Sequence, residues 1–457
     1  MARDMTDLTP IEGAASLVEY IASGAKPKER WRLGTEHEKF PFYADGNRPV
    51  PYEGPRGIRA LLEGMQLMLG WEPIMDGENI IGLVEPTGAG AISLEPGGQF
   101  ELSGAPLETV HQTCREANAH LAQLREIADP LGIKFLGMGG SPKWTLAETP
   151  RMPKTRYGIM SSYMPKVGSR GLDMMYRTCT IQVNVDFSSE DDMRRKMLTS
   201  IKLQPLSTAL FAASPFTDGT LNGFQSWRGD IWRDTDNQRS GVPTFLFNNS
   251  FGYADYVEWA LDIPMYFVLR DGIYHEATDI TFRQFMNGAL SKRIAGVEPN
   301  IGDWTNHLGT LFPDVRLKRY LEMRGADGGP WRRLTALPAF WVGLLYDDAS
   351  LSAAEALTAD WRYDDVMHMR NTVPVMGLKT PWRGGTLLDV AREVLKISHA
   401  GLVARSKLDS YGQDESGYLS PLEEVVARGT TLSDQMIREY NTAWGKSVDP
   451  AFLGYAY

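Results

Sequence analysis

Residues 177–187 alternate without a break: Cys179, Ile181, Val183, Val185 and Phe187 take one face, and Thr178, Thr180, Gln182, Asn184 and Asp186 take the other. A period of two predicts a strand with one side on a core and the other on something polar. Residues 31–40, 91–94 and 99–102 read as further strands, the last two separated by Pro96-Gly97-Gly98, and residues 319–324 alternate again. Elsewhere the spacing is helical. Thr9-Pro10 is expected to open a helix with Ile11, Ala14, Ala15, Val18 and Ile21 on its apolar face, closed by Gly24. A second helix from Pro106 carries Val110, Cys114, Ala117, Leu121, Leu124 and Ala128, and a third covers 191–213 with a kink at Pro205. From Leu337 the pattern is helical, with amphipathic segments at 387–402 and 419–440.

These strands do not alternate regularly with helices, so a doubly wound parallel sheet is disfavoured. The pattern predicts an α+β fold, an antiparallel sheet backed by helices. Gly- and Pro-rich patches at 49–57, 137–142 and 325–330 are short and scattered, and no repeat or linker interrupts the chain. One body over 1–457 is expected, with the core sheet in about 30–345 and a helical part in about 346–457.

The chain has 457 residues, 43% hydrophobic and 23% charged, with a net charge of −10. Without a basic face, a nucleic-acid partner is not expected. No apolar run reaches the roughly 18 residues of a membrane span. Cys114 and Cys179 are too few for a disulfide framework, although one bridge between them stays open. Residues 1–10 carry acids and no apolar h-region. Together these features lead to the expectation of a cytoplasmic protein without a leader.

Glu36 and Glu38 lie two apart on a strand, so their carboxylates share a face about 6–7 Å apart while His37 points the other way. Such a pair is either a solvated edge or a cation site. Glu95 and Glu101 flank Pro-Gly-Gly-Gln-Phe inside an apolar, β-rich stretch, where acids are rarely buried unless paired or metal-bound. Glu322 and Arg324 share a face of the 319–324 strand, a placement that also suits a structural salt bridge. Five strand carboxylates with no His or Cys spacing fit Mg²⁺ or Mn²⁺ better than zinc. Gln182 and Asn184 read either as a solvent face or as a polar cavity wall. Lys154, Arg156, Lys166 and Arg170 lie in a segment rich in Met and Tyr, and Arg228 sits between Trp227 and Trp232. An arginine fork suits carboxylate or phosphate, and it equally suits stacking on tryptophan. Gly445-Lys446-Ser447 lacks the first glycine and the preceding strand of a P-loop, so any ATP must be held another way.

Several blocks resemble the plant type of glutamate–cysteine ligase. They are Leu33-Gly34-Thr35-Glu36-His37-Glu38-Lys39-Phe40, Ser93-Leu94-Glu95-Pro96-Gly97-Gly98-Gln99-Phe100-Glu101-Leu102, and residues 174–184, 214–217, 282–285 and 316–331. The likeness runs from about Trp31 to Tyr457. It implies a curved antiparallel sheet similar to the catalytic core of glutamine synthetase and guanidino kinases. It further implies ATP-dependent joining of the glutamate γ-carboxyl to the cysteine amine through a γ-glutamyl phosphate, the first step of glutathione biosynthesis. By the same resemblance Glu36, Glu38, Glu95, Glu101 and Glu322 are metal ligands for Mg²⁺ or Mn²⁺. Arg156 and Arg228 are substrate arginines, and Arg324 faces the phosphates. Gln182 and Asn184 line the cleft, and Tyr266 and Trp331 the cysteine pocket. The expected partners are glutamate, cysteine and ATP, with no membrane or nucleic acid, in a monomer or homodimer. Plant members carry redox disulfides. Here the expected partner of Cys114 is Thr335, and 277–292 holds no cysteine, which argues against control by those bridges. A same-fold ligase using another amine or serving another thiol pathway is the nearest alternative.

Overall fold

A computed structural model describes residues 4–457. Its main sheet has nine strands: β1 (Leu33–Tyr43), β2 (Glu72–Asp76), β3 (Asn79–Val84), β4 (Ala91–Leu94), β5 (Phe100–Ser103), β6 (Ile133–Leu136), β7 (Thr180–Val185), β8 (Val315–Leu317) and β9 (Leu321–Asp327). The order is β8-β9-β7-β1-β5-β4-β3-β2, and β6 pairs with the far half of β1. Every pairing is antiparallel, as the irregular order of helices and strands predicted.

Helices cover one face of this sheet: α1 (Ala14–Ala22), α2 (Val110–Ala128), α3 (Glu190–Leu210), α4 (Trp331–Leu345) and α5 (Leu387–Arg405) contribute to one apolar core. Leu33, Ile181, Val183, Val185, Leu321 and Met323 point into it and meet Leu337, Phe340 and Trp341 of α4. Each fully buried aliphatic side chain contributes about 1.5–3 kcal/mol by leaving water. The alternation in β7 therefore decides which way its polar residues must point: away from the helices, toward the open face. His37 and Lys39 are polar yet lie on the helix side, with Lys39 Nζ 3.1 Å from His37 Nδ1. Burial pulls the Lys39 amine down to about 7.

Several boundaries differ from expectation. The first helix begins at Ala14, where the Ser16 side chain caps the Gly13 N–H; Pro10 instead bridges Asn300. Helix α2 begins at Val110, because Thr109 and Gln112 form its capping box. The strand expected from 177 starts at Thr180, since Gly171–Arg177 is helical, and the 319–324 strand runs on to Asp327. Helix α4 starts at Trp331, ahead of Leu337, directly after Pro330. The 419–440 segment is two helices, Ser420–Arg428 and Leu432–Asn441, broken at Gly429 with φ 61. The β2–β3 hairpin has no counterpart in the periodic reading. Cys114 and Cys179 are both free.

Candidate active site

The register of the sheet assembles the open face. In β1–β5, Glu38 stands opposite Glu101; in β1–β7, Glu36 stands opposite Gln182; in β7–β9, Asn184 stands opposite Glu322. Ser93 of β4 lies opposite Glu101, so the turn that follows β4 delivers Glu95 beside it. That turn is tight: Gly98 has φ 87 and donates to the Glu95 carbonyl at 2.9 Å. A Cβ on Gly97 would collide with the Tyr176 carbonyl oxygen. Gln99 then locks the turn to the segment before β7, donating to the carbonyls of Met175 at 3.1 Å and Thr178 at 2.9 Å.

Glu36, Glu38, Glu95 and Glu101 thereby line a single cleft, together with Gln182, Arg156, Arg228, Arg316 and Arg324. Glu38 accepts from the Thr180 N–H at 2.9 Å. Burial, then Glu95 and Glu101, push its carboxyl well above the usual carboxylate range against the pull of Arg228. Asn184 donates to Glu36 at 3.0 Å, and the Ser103 hydroxyl donates to Glu101. Among the described residues no three acid, His or Cys side chains are gathered closely enough to hold a metal ion as they stand. Facing carboxylates repel, and Glu36, Glu38 and Glu101 each accept from a neutral donor. The donor set itself, carboxylate oxygens on adjacent strands, suits a hard divalent cation.

Glu322 has different surroundings. It is 0% exposed, and Arg316 grips both of its oxygens from one Nη2, at 2.6 and 2.8 Å. Lys318 adds an ion pair at 2.7 Å and Arg324 another. Burial works to raise its pKa, but these three cations hold it well below the usual range. Its oxygens are thus occupied by cationic side chains, and it fixes Arg324, whose Nη1 also donates to Gln182 at 2.5 Å.

Arg228 comes from the short helix Trp227–Ile231, capped by Ser226. Asp327, at the end of β9, accepts from Ser226 Oγ at 2.8 Å, Ser214 Oγ at 2.7 Å and the Ala213 N–H at 2.8 Å. Ser214 Oγ accepts the Arg228 N–H at 3.2 Å, and Arg228 Nη2 donates to the Arg324 carbonyl at 3.0 Å. The two cleft arginines are therefore coupled through β9. Arg156 reaches the cleft from Thr155–Tyr163 and pairs with Asp4 at 3.0 Å. Lys154, buried nearby, donates to the Tyr157 hydroxyl at 3.3 Å; burial and Arg156 pull its amine down to about 8.

Two expected wall residues lie elsewhere. Tyr266 is 1% exposed and packed behind the cleft, 3.9 Å from the Arg239 guanidinium and edge-on to Tyr163; its neighbour Phe267 lines the cleft. Trp331 is 43% exposed at the start of α4, on the helix side of the sheet, donating to Asn118 of α2 at 2.7 Å. Neither lines the cleft, where the resemblance implied a pocket wall: Tyr266 packs against Arg239 and Tyr163 one residue before Phe267, and the turn at Gly328-Gly329-Pro330 carries Trp331 to the helix side. Residues the sequence did not single out, Arg316, Asn306, Met160 and Phe312, do line the cleft. Arg316 lay within a quoted motif, but only the pairing of β8 with β9 sets it opposite Glu322.

A second basin opens at the beginning of β1, lined by Lys26, Arg30, Arg32, Arg319, Tyr320 and Asn184. It meets the first cleft at the Asn184–Glu36 hydrogen bond.

A family model described as glutamate-cysteine ligase family 2 matches residues 32–453. The chloroplastic glutamate–cysteine ligase of Nicotiana tabacum is 56% identical over 441 residues, covering 96% of this chain and 82% of that protein. Glutamate–cysteine ligase A of Oryza sativa subsp. indica, also chloroplastic, is 54% identical over 96% of this chain and 87% of its own. A solved glutamate–cysteine ligase from Francisella tularensis, in complex with AMP, shares the fold with a TM-score of 0.55 at 12% identity, over 90% of this chain and 85% of that one. The expectation of a cytoplasmic protein is overturned by these relatives, which are named chloroplastic; the charge and polarity of residues 1–10 do not distinguish compartments. With the match spanning nearly the whole sheet and the helices behind it, the chain belongs to glutamate-cysteine ligase family 2.

Proposed function

We propose that this chain joins the γ-carboxyl of glutamate to the amine of cysteine at the expense of ATP, giving γ-glutamylcysteine for glutathione biosynthesis. The observation that carries the reading is the gathering of two opposite charge sets around one cleft. Glu36, Glu38, Glu95 and Glu101 line it together with Arg228 and Arg324. The four glutamates would hold Mg²⁺ or Mn²⁺, which supplies positive charge between a substrate carboxylate and the nucleotide's phosphates. Glu322 keeps Arg324 aimed at the cleft. Arg324 and Arg228 stabilise the charge that grows on the transferring phosphoryl group. Arg156 and Arg228 anchor glutamate, so that its γ-carboxylate attacks the γ-phosphorus of ATP in line, the bond to the β-phosphate breaks, and ADP leaves with a γ-glutamyl phosphate formed. The cysteine amine then displaces phosphate, with Gln182 and the apolar wall of Met160, Phe267 and Phe312 orienting it. The basic basin with Lys26, Arg30, Arg32, Arg319 and Tyr320 receives the nucleotide, its phosphates directed toward Glu36. The whole chain acts as one catalytic unit in this reading, because α5 packs along α4 and α4 lies on the sheet.

The test is ADP release with glutamate, cysteine and Mg²⁺, repeated on Glu36→Gln. The parent should turn over only when both amino acids are present, and the variant should be strongly impaired. Turnover that ignores cysteine but accepts another amine would identify a different ligase of the same fold. Full activity in Glu36→Gln would remove the metal assignment.

A further inference from the structure

Residues 4–9 form neither helix nor strand, and residues 5–10 are exposed. The segment is nonetheless tied across the rim of the cleft. Met5 exchanges two hydrogen bonds with Asn306, at 2.8 and 3.0 Å, and the carbonyls of Asp7 and Thr9 accept from Gly302 at 2.8 Å and Ile301 at 2.9 Å. One side chain turns inward. Asp4, only 9% exposed, places Oδ1 3.0 Å from Arg156 Nη1, while the Tyr274 hydroxyl donates to its other oxygen. Arg156 and Asn306 both line the cleft, as does Phe267, whose strand pairs with that of Tyr274.

We propose that Asp4 is an internal competitor, a carboxylate held in the seat that Arg156 offers to substrate glutamate. The inference rests on the reading of Arg156 as a substrate anchor. A buried carboxylate is costly unless paired, so this contact is more selective than a surface ion pair. Burial works to raise the Asp4 pKa, yet Arg156 and the Tyr274 hydroxyl outweigh it and keep the group ionised. A guanidinium fork and a phenol hydroxyl are also what an amino-acid carboxylate would bind. Glutamate must then displace the segment, and its apparent affinity falls by the fraction of molecules in which Arg156 is already taken.

Full-length Asp4→Asn and Asp4→Ala chains, assayed for ADP release with ATP, Mg²⁺ and cysteine saturating, should lower the KM for glutamate by about three- to tenfold and leave kcat within about twofold. Calorimetric binding of glutamate should tighten in the same order without turnover. A KM for glutamate that is unchanged or raised in both variants overturns the proposal, a raised value making Asp4 part of the substrate site. Arg156→Gln separates the two ways of failing. If it weakens glutamate while the Asp4 variants do nothing, only the competitor is lost. If it leaves glutamate untouched, the anchor reading fails and the competitor with it.

Discussion

Glu38 and Glu101 stand directly opposite one another across the β1–β5 pair. Like charges so placed weaken a sheet, and burial deepens the conflict. Under the proposed function, a divalent cation shared by the two would relieve that conflict.

A pH prediction follows from the sign of that conflict. In the metal-free protein the Glu38 carboxyl titrates well above its ordinary 4.5, because of burial and then Glu95 and Glu101. The folded state therefore holds a proton there that the unfolded chain has released. Its stabilising contribution is full below pH 4.5 and is lost as pH rises through the folded value. Thermal unfolding in EDTA should show the parent losing stability as pH rises above 4.5, and Glu38→Gln losing less. Added Mg²⁺ should restore the parent at pH 8 and leave the variant unmoved, with activity down on the order of 100-fold. A full Mg²⁺ response in Glu38→Gln would end the metal assignment.

Glu322→Gln should be a stability mutant before it is a catalytic one. Removing that carboxylate leaves Arg316, Lys318 and Arg324 buried without their shared anion, a change that typically costs about 3–5 kcal/mol. Glu36→Gln, at a partly exposed position that keeps its hydrogen-bond partner Asn184, should cost about 1 kcal/mol or less. Urea denaturation of the two variants compares them directly. Equal stability would show that Glu322 is not the anchor of the three cations.

Trp331→Ala should leave the KM for cysteine within about twofold, because its indole lies behind the sheet. Its measurable effect is the lost hydrogen bond to Asn118, about 1 kcal/mol in unfolding free energy. A large rise in the cysteine KM would return Trp331 to the pocket.

Much of the site could be read along the chain. The pair Glu36 and Glu38 share a face because consecutive strand residues point to opposite sides, a property needing no partner strand. The same local rule set Gln182 and Asn184 opposite Ile181 and Val183, and the long motifs carried the family. Helix starts were less legible: Thr9-Pro10 has the chemistry of a cap, but the competing bridge to Asn300 is remote in sequence. Tyr266 and Trp331 lie outside the cleft for a related reason. A motif shows which residues recur together and not on which side of a sheet each one finishes.

The sequence by itself determined which residues of each strand face one way, the choice of hard oxygen donors and the family. Only the tertiary structure decided that Glu38 meets Glu101, that Glu322 is surrounded by three cations, and that Asp4 reaches Arg156 across 152 positions. Side-chain alternation is dictated within a few residues by backbone sterics. Register and cross-strand partners, by contrast, are settled by burial and charge between segments far apart in the chain, which no local period records.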